Sequence, residues 1–210
     1  MCLAQSVIDT ALMMSTSGLS AGRSGNVSVR DGERVLITPT GMAYEDLEPS
    51  DIVSMALEGT VPAGSRKPSS EWHFHAAIYA ARPDVGAIVH THSNAATALA
   101  CREEGIPAFH YMVAAAGGVD IRCAPYATFG TEALAGFAVE ALKDRKACLL
   151  AHHGVIACGG TLPKAYDLAV EVETLADQYG RARALGPVPL LDEEEMMRVI
   201  EKFRTYGQHV

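Results

Sequence analysis

What the 210-residue chain lacks removes several classes of function. Basic residues are outnumbered: 17 Lys and Arg stand against 25 Asp and Glu, for a net charge of −8. Neither a nucleic-acid groove nor an anionic membrane surface is built without a basic footprint. A small anionic substrate stays possible, because backbone N–H groups and a buried metal can hold a phosphate. Cysteines are few and odd in number, at Cys2, Cys101, Cys123, Cys148 and Cys158, with no CxxC spacing. That pattern suggests neither a disulfide framework nor a cysteine zinc site, and fits reduced thiols in a cytosol. No apolar run approaches the roughly 20 residues of a membrane span. Residues 1–17 form an amphipathic pattern interrupted by Asp9, without the basic-then-apolar order of a signal peptide. We therefore expect a cytoplasmic protein. Internal repeats and low-complexity tracts are also absent.

The apolar fraction of 49% suffices for a buried core, and the length suits one domain spanning 1–210. Leu3, Val7, Ala11 and Met14 recur at helical spacing, and Gly18 and Gly22 end that helix. Two short β-like runs at 27–30 and 34–38 flank an Asp31-Gly32 turn. A strand is expected at 51–56 and a helix at 69–81, capped by Ser69 or Ser70 and stopped before Pro83. The run 85–92 reads as a buried strand, 93–101 as a helix and 121–124 as a short strand. A helix at 131–143, a buried strand at 147–153 continuing over 155–158, and helices at 162–185 and 193–206 complete the chain. Pro163 falls in a first helical turn, where it is tolerated. The fold class is therefore α/β, with helices flanking a central sheet; the short N-terminal runs favour mixed or antiparallel pairing.

His90-Thr91-His92 closes one apolar run and His152-His153-Gly154 closes another. Residues i and i+2 of a strand share a face, so His90 and His92 can converge on one point. The second pair offers a third imidazole, although spacing leaves His152 and His153 open. Glu71, at the start of a helix, offers a carboxylate. Three neutral imidazoles and a carboxylate suit zinc or a similar borderline metal. His73, His75 and His110 are rival ligands, and His75 lies one helical turn from Glu71.

The motifs extend in order along essentially the whole chain. They are Gly25-Asn26-Val27-Ser28-Val29-Arg30, Ile37-Thr38-Pro39-Thr40-Gly41, Pro68-Ser69-Ser70-Glu71-Trp72 and His90-Thr91-His92. His110-Tyr111-Met112, the stretch 124–130, His152-His153-Gly154 and the tail 201–207 follow. Together they resemble the class II aldolase/adducin family. The resemblance implies an α/β homotetramer with a divalent metal near each subunit interface, zinc first and manganese or cobalt as alternatives. The ligands would be Glu71, His90, His92 and His153. Gly25, Asn26, Thr40, Gly41, Ser69 and Ser70 would bind a phosphate; small residues free backbone N–H groups there and hydroxyls add donors. The sequence departs from the family pattern at Arg23-Ser24, where Arg23 either adds a phosphate contact or points to solvent.

The implied activity is that of a lyase cleaving a ketose 1-phosphate, such as L-fuculose 1-phosphate or a 5-deoxy- or 5-methylthio-ribulose 1-phosphate. The products would be dihydroxyacetone phosphate and a short aldehyde. Glu71 would serve as acid/base, and Tyr111, reaching in from a neighbouring subunit, would exchange a proton with the aldehyde-side oxygen. Tyr206 and Phe129 would shape the aldehyde pocket. Methylthioribulose-1-phosphate dehydratase activity is a rival. A pentulose-phosphate 4-epimerase would carry aspartate where Glu71 stands. A non-catalytic adducin-like module is disfavoured by the full ligand set. A Schiff-base enzyme would need a buried lysine, whereas Lys67, Lys143, Lys146, Lys164 and Lys202 lie in loops, at helix ends or on polar faces.

Overall fold

The structure, a computed structural model, describes residues 2–205. Seven strands form one sheet: β1 (Asn26–Asp31), β2 (Arg34–Ile37), β3 (Val53–Ala56), β4 (Ala87–Thr91), β5 (Cys123–Ala124), β6 (Ala147–Leu150) and β7 (Gly154–Gly159). Their order is β3-β2-β1-β4-β7-β6-β5. Every pairing is antiparallel except β5 with β6, so the sheet is mixed.

The helices are α1 (Leu3–Thr16), α2 (Trp72–Ala81), α3 (Asn94–Ala100), α4 (Glu132–Ala141), α5 (Leu162–Ala184) and α6 (Glu193–Arg204). Strand residues alternate between two apolar layers. Val27, Val29, Val89, Leu149 and Val155 pack under α1, α3, α5 and α6. Ile88, Cys148, Leu150 and Ile156 pack under α2 and α4. Both faces are covered, which explains why the central strands read as continuous apolar runs.

Several boundaries differ from expectation for local reasons. The strand expected at 147–153 stops at Leu150. Residues 151–153 then reverse the chain, with His152 at φ 53, and β7 returns antiparallel to β6 instead of continuing it. The helix expected from Ser69 begins at Trp72, with Glu71 at its N-cap position and no side-chain cap. Ser69 Oγ instead accepts a hydrogen bond from the Glu71 N–H at 3.3 Å, which holds the residues before the helix in a turn. Pro49–Asp51 forms a 3-10 turn, so that strand starts only at Val53. A further 3-10 segment covers Tyr111–Ala116. The last helix is described to Arg204, and Tyr206 lies outside the described residues.

Candidate metal centre and substrate cavity

The site grows from the register of two strands. Asn26 on β1 lies directly opposite His90 on β4, and Ser28 lies opposite Ile88. Paired residues share a face, so Asn26, Ser28 and His90 all project toward α2. His92, two residues beyond His90, follows onto the same side. Glu71 arrives from the start of α2, and His153 from the turn between β6 and β7. Gly154 permits that last approach. A Cβ there would sit 2.3 Å from the Thr91 carbonyl oxygen and 2.9 Å from the His92 ring.

The four side chains converge, each offering one donor atom, all within 4.8 Å of one another. His90 Nε2 lies 3.0 Å from His92 Nε2 and 3.1 Å from Glu71 Oε2, and His153 Nε2 lies 3.0 Å from Glu71 Oε1. Tetrahedral ligation at about 2.0–2.1 Å gives donor separations of about 3.3 Å, close to these values. The three imidazoles form a propeller, each pair 4.9 Å apart between centroids and inclined at 76° or 77°.

His90 Nδ1 donates to the Val155 carbonyl at 2.8 Å. That bond leaves the Nε2 lone pair free to face the cluster, as a metal-bound imidazole requires. Glu71 Oε1 is buried and, apart from the His153 Nε2 contact at 3.0 Å, has no hydrogen-bond partner, a costly arrangement unless something cationic meets it. Burial opposes the charged carboxylate, but the facing His90 and His153 imidazoles outweigh it and hold Glu71 far below the usual range. Burial pushes His92 down to about 4, helped by its histidine neighbours. Three imidazoles and one carboxylate converging on one point fit a single divalent metal ion.

The rival histidines are occupied elsewhere. His75 is fully buried and bonded to Asn26 and Ser28. Burial pushes it down to about 3. His73 stacks on Trp72, and His110 accepts from the Met112 N–H at the start of the 3-10 segment. His152 turns outward to Glu103, 3.2 Å away.

Beside the cluster lies a cavity of about 350 Å³. Gly25, Asn26, Thr40, Gly41, Ser69 and Ser70 all line it, as do Phe129, Glu71, His92 and His153. Arg23 lines it too, and its guanidinium donates to the Gly41 carbonyl at 3.0 Å, tying two of the loops together. Sequence reasoning missed Tyr44, whose hydroxyl donates to the Gly25 carbonyl at 2.7 Å. It gave no role to Tyr126, and it weighed His152 only as a metal ligand, whereas both line this cavity. Only their nearness to Gly41, Phe129 and His153 in the chain hinted at them. Tyr111 is about half exposed, at 49%, and lies away from this cavity, beside Met112, Ala114 and Lys146.

Comparison with known proteins agrees with this architecture. Residues 5–179 match the model of the class II aldolase and adducin N-terminal domain. A 5-methylthioribulose-1-phosphate/5-deoxyribulose-1-phosphate aldolase of Rhodospirillum rubrum is 56% identical, over 99% of this chain and 93% of its own. An L-fuculose phosphate aldolase of Escherichia coli K12 is 52% identical, over 99% of this chain and 97% of its own. Among solved structures, an L-fuculose 1-phosphate aldolase superposes with a TM-score of 0.93 at 42% identity, over 96% of each chain. The chain belongs to the class II aldolase and adducin family.

Proposed function

We propose that this protein is a metal-dependent lyase, an aldolase that cleaves a ketose 1-phosphate to dihydroxyacetone phosphate and a short aldehyde. The substrates are L-fuculose 1-phosphate or a 5-deoxy- or 5-methylthio-ribulose 1-phosphate, the classes named in the relatives. The observation that carries the reading is a four-donor cluster opening onto a cavity rimmed by glycine and hydroxyl residues. Glu71, His90, His92 and His153 hold one divalent metal, zinc by donor type. When bound, the ion supplies Lewis-acid polarisation of the substrate carbonyl and its neighbouring hydroxyl.

The chain's own residues do the rest. Backbone N–H groups at Gly25 and Gly41, with the Thr40, Ser69 and Ser70 hydroxyls and the Asn26 amide, hold the phosphate and orient the carbon to be deprotonated or protonated. Glu71, a carboxylate that lines the same cavity, moves that proton. Tyr111 exchanges a proton with the aldehyde-side oxygen of a neighbouring subunit's substrate, which accounts for its exposure in the single chain. Phe129, which lines the cavity and is 64% exposed, shapes the aldehyde side, a role the family resemblance also implies for Tyr206. The working assembly is a homotetramer of single domains spanning 1–210. Its place is the cytoplasm, a reading supported by cysteines that all remain free thiols. Among the described residues, no helix is long and apolar enough to cross a membrane.

A panel of ketose 1-phosphates, assayed for dihydroxyacetone phosphate release with and without chelator, tests the reading. Release from at least one member, abolished by chelator and restored by metal, is expected. No release from any, with metal bound, overturns it.

A further inference from the structure

Behind Glu71 and Asn26 lies a chain of buried polar groups, His75, Ser28 and Tyr79, that the mechanism above does not use. Asn26 Nδ2 donates to Glu71 Oε2 at 3.0 Å. Asn26 Oδ1 lies 2.5 Å from His75 Nε2, His75 Nδ1 lies 2.7 Å from Ser28 Oγ, and Ser28 Oγ lies 2.9 Å from the Tyr79 hydroxyl. All five residues are buried, Ser28 and His75 completely. One strand and one helix supply them: Asn26 and Ser28 are i and i+2 on β1, while His75 and Tyr79 are i and i+4 on α2, with Glu71 at its N-cap.

We infer that Tyr79, Ser28 and His75 form a one-way hydrogen-bond relay that locks the Asn26 amide in a single orientation, with its donor on Glu71. The direction follows from elementary donor and acceptor counting. The ionised Glu71 carboxylate can only accept, so the Asn26 NH₂ must face it. The Asn26 oxygen then faces His75 Nε2, which must carry the proton. His75 is neutral, so Nδ1 is bare and accepts from Ser28. The Ser28 hydroxyl proton is thereby used, and Tyr79 donates to the Ser28 oxygen. No other assignment satisfies every member. Reversing the amide would set two acceptors, Asn26 Oδ1 and the Glu71 carboxylate, against each other.

The consequence lies at the cavity. Asn26 Nδ2 carries a second hydrogen, and Asn26 lines the cavity. A fixed amide therefore presents one donor to the carboxylate and one toward the bound substrate at once. His75 is a positioning residue in this scheme. It touches neither substrate nor metal, and acts only through Asn26.

Two measurements test the relay in the metal-loaded full chain. Nitrogen-15 correlation spectra of the histidine rings should show His75 protonated at Nε2 and bare at Nδ1. An Nδ1-protonated or charged His75 overturns the proposal, and this arm needs no substrate. The kinetic arm rests on the aldolase reading. His75→Leu should lower kcat/KM about 10-fold or more at unchanged metal content. His75→Gln, whose amide N–H reaches as far as Nε2, should recover most of that loss. The Asn26→Ala/His75→Leu double variant should fall within about 2-fold of Asn26→Ala alone, since a residue acting only through Asn26 has nothing left to act on. Full additivity of the two losses overturns the relay. Should His75→Leu fail to fold, the wild-type ring spectrum still decides the question.

Discussion

Gly25 and His90 are pressed together. A Cβ on Gly25 would lie 2.5 Å from the His90 carbonyl oxygen and 2.8 Å from Ser20 Oγ, and Gly25 sits at φ +84. Any side chain there meets both a strained backbone and an immovable strand. Gly25→Ala should cost about 2–4 kcal/mol of stability, the sum of left-handed strain and overpacking. Urea unfolding checks this; a loss below about 1 kcal/mol would mean the loop can move away from β4.

Metal content should depend on the imidazole propeller. Elemental analysis of purified protein should find one divalent ion per chain, and His92→Ala should lose most of it. Equal content in both proteins would remove His92 from the ligand set. Removing the ion from the wild type should also lower the unfolding temperature, because binding to the native state alone stabilises it.

Glu71→Gln separates holding the metal from moving the proton. Three histidines remain to bind the ion, while the amide cannot take up a proton. Turnover should fall by about 10²–10⁴-fold with metal still present. Near-normal turnover in the metal-loaded variant would take the acid/base role away from Glu71.

Tyr111 and Glu71 should complement each other across chains. Tyr111→Phe and Glu71→Gln chains, mixed and allowed to exchange subunits, should regain activity above either parent, because some sites then unite an intact tyrosine with an intact glutamate. If Tyr111 served its own chain, every mixed site would keep one defect and no recovery would appear.

Glu173 on α5 clamps the start of α3, which begins two residues after His92. Its two carboxylate oxygens accept from the Ala95 and Ala96 N–H groups at 2.8 and 2.9 Å. Glu173→Ala should cost about 1–3 kcal/mol, as orphaned helix-start donors do, without changing metal stoichiometry. Thermal unfolding alongside elemental analysis reads both.

The sequence showed much of this plan and hid particular parts of it. His90 and His92 were legible because period-two geometry needs only two positions. The choice between His152 and His153 was not, since a three-residue reversal has no periodicity; the positive φ of His152 sends its ring to Glu103 and leaves His153 facing the cluster. His75 shares a helical face with Glu71, as its spacing said, yet its ring is claimed by Asn26 and Ser28. That outcome depends on the register of β1 against β4, a long-range pairing that no local pattern encodes. Ser69 and Ser70 looked like helix caps because capping chemistry and loop chemistry use the same residue type. Glu173 gave no signal at all, because its targets lie more than 70 positions away.

The bond from His90 to the Val155 carbonyl also orders events during synthesis. The acceptor that sets the His90 tautomer lies 65 positions downstream, and His153 emerges just before it. A nascent chain can have Glu71, His90 and His92 all outside the ribosome and still lack both the fourth donor and the group that points the first imidazole inward. If this cluster takes an ion as proposed, its capture would be a late event, and a tightly held ion would report that β7 has closed against β4.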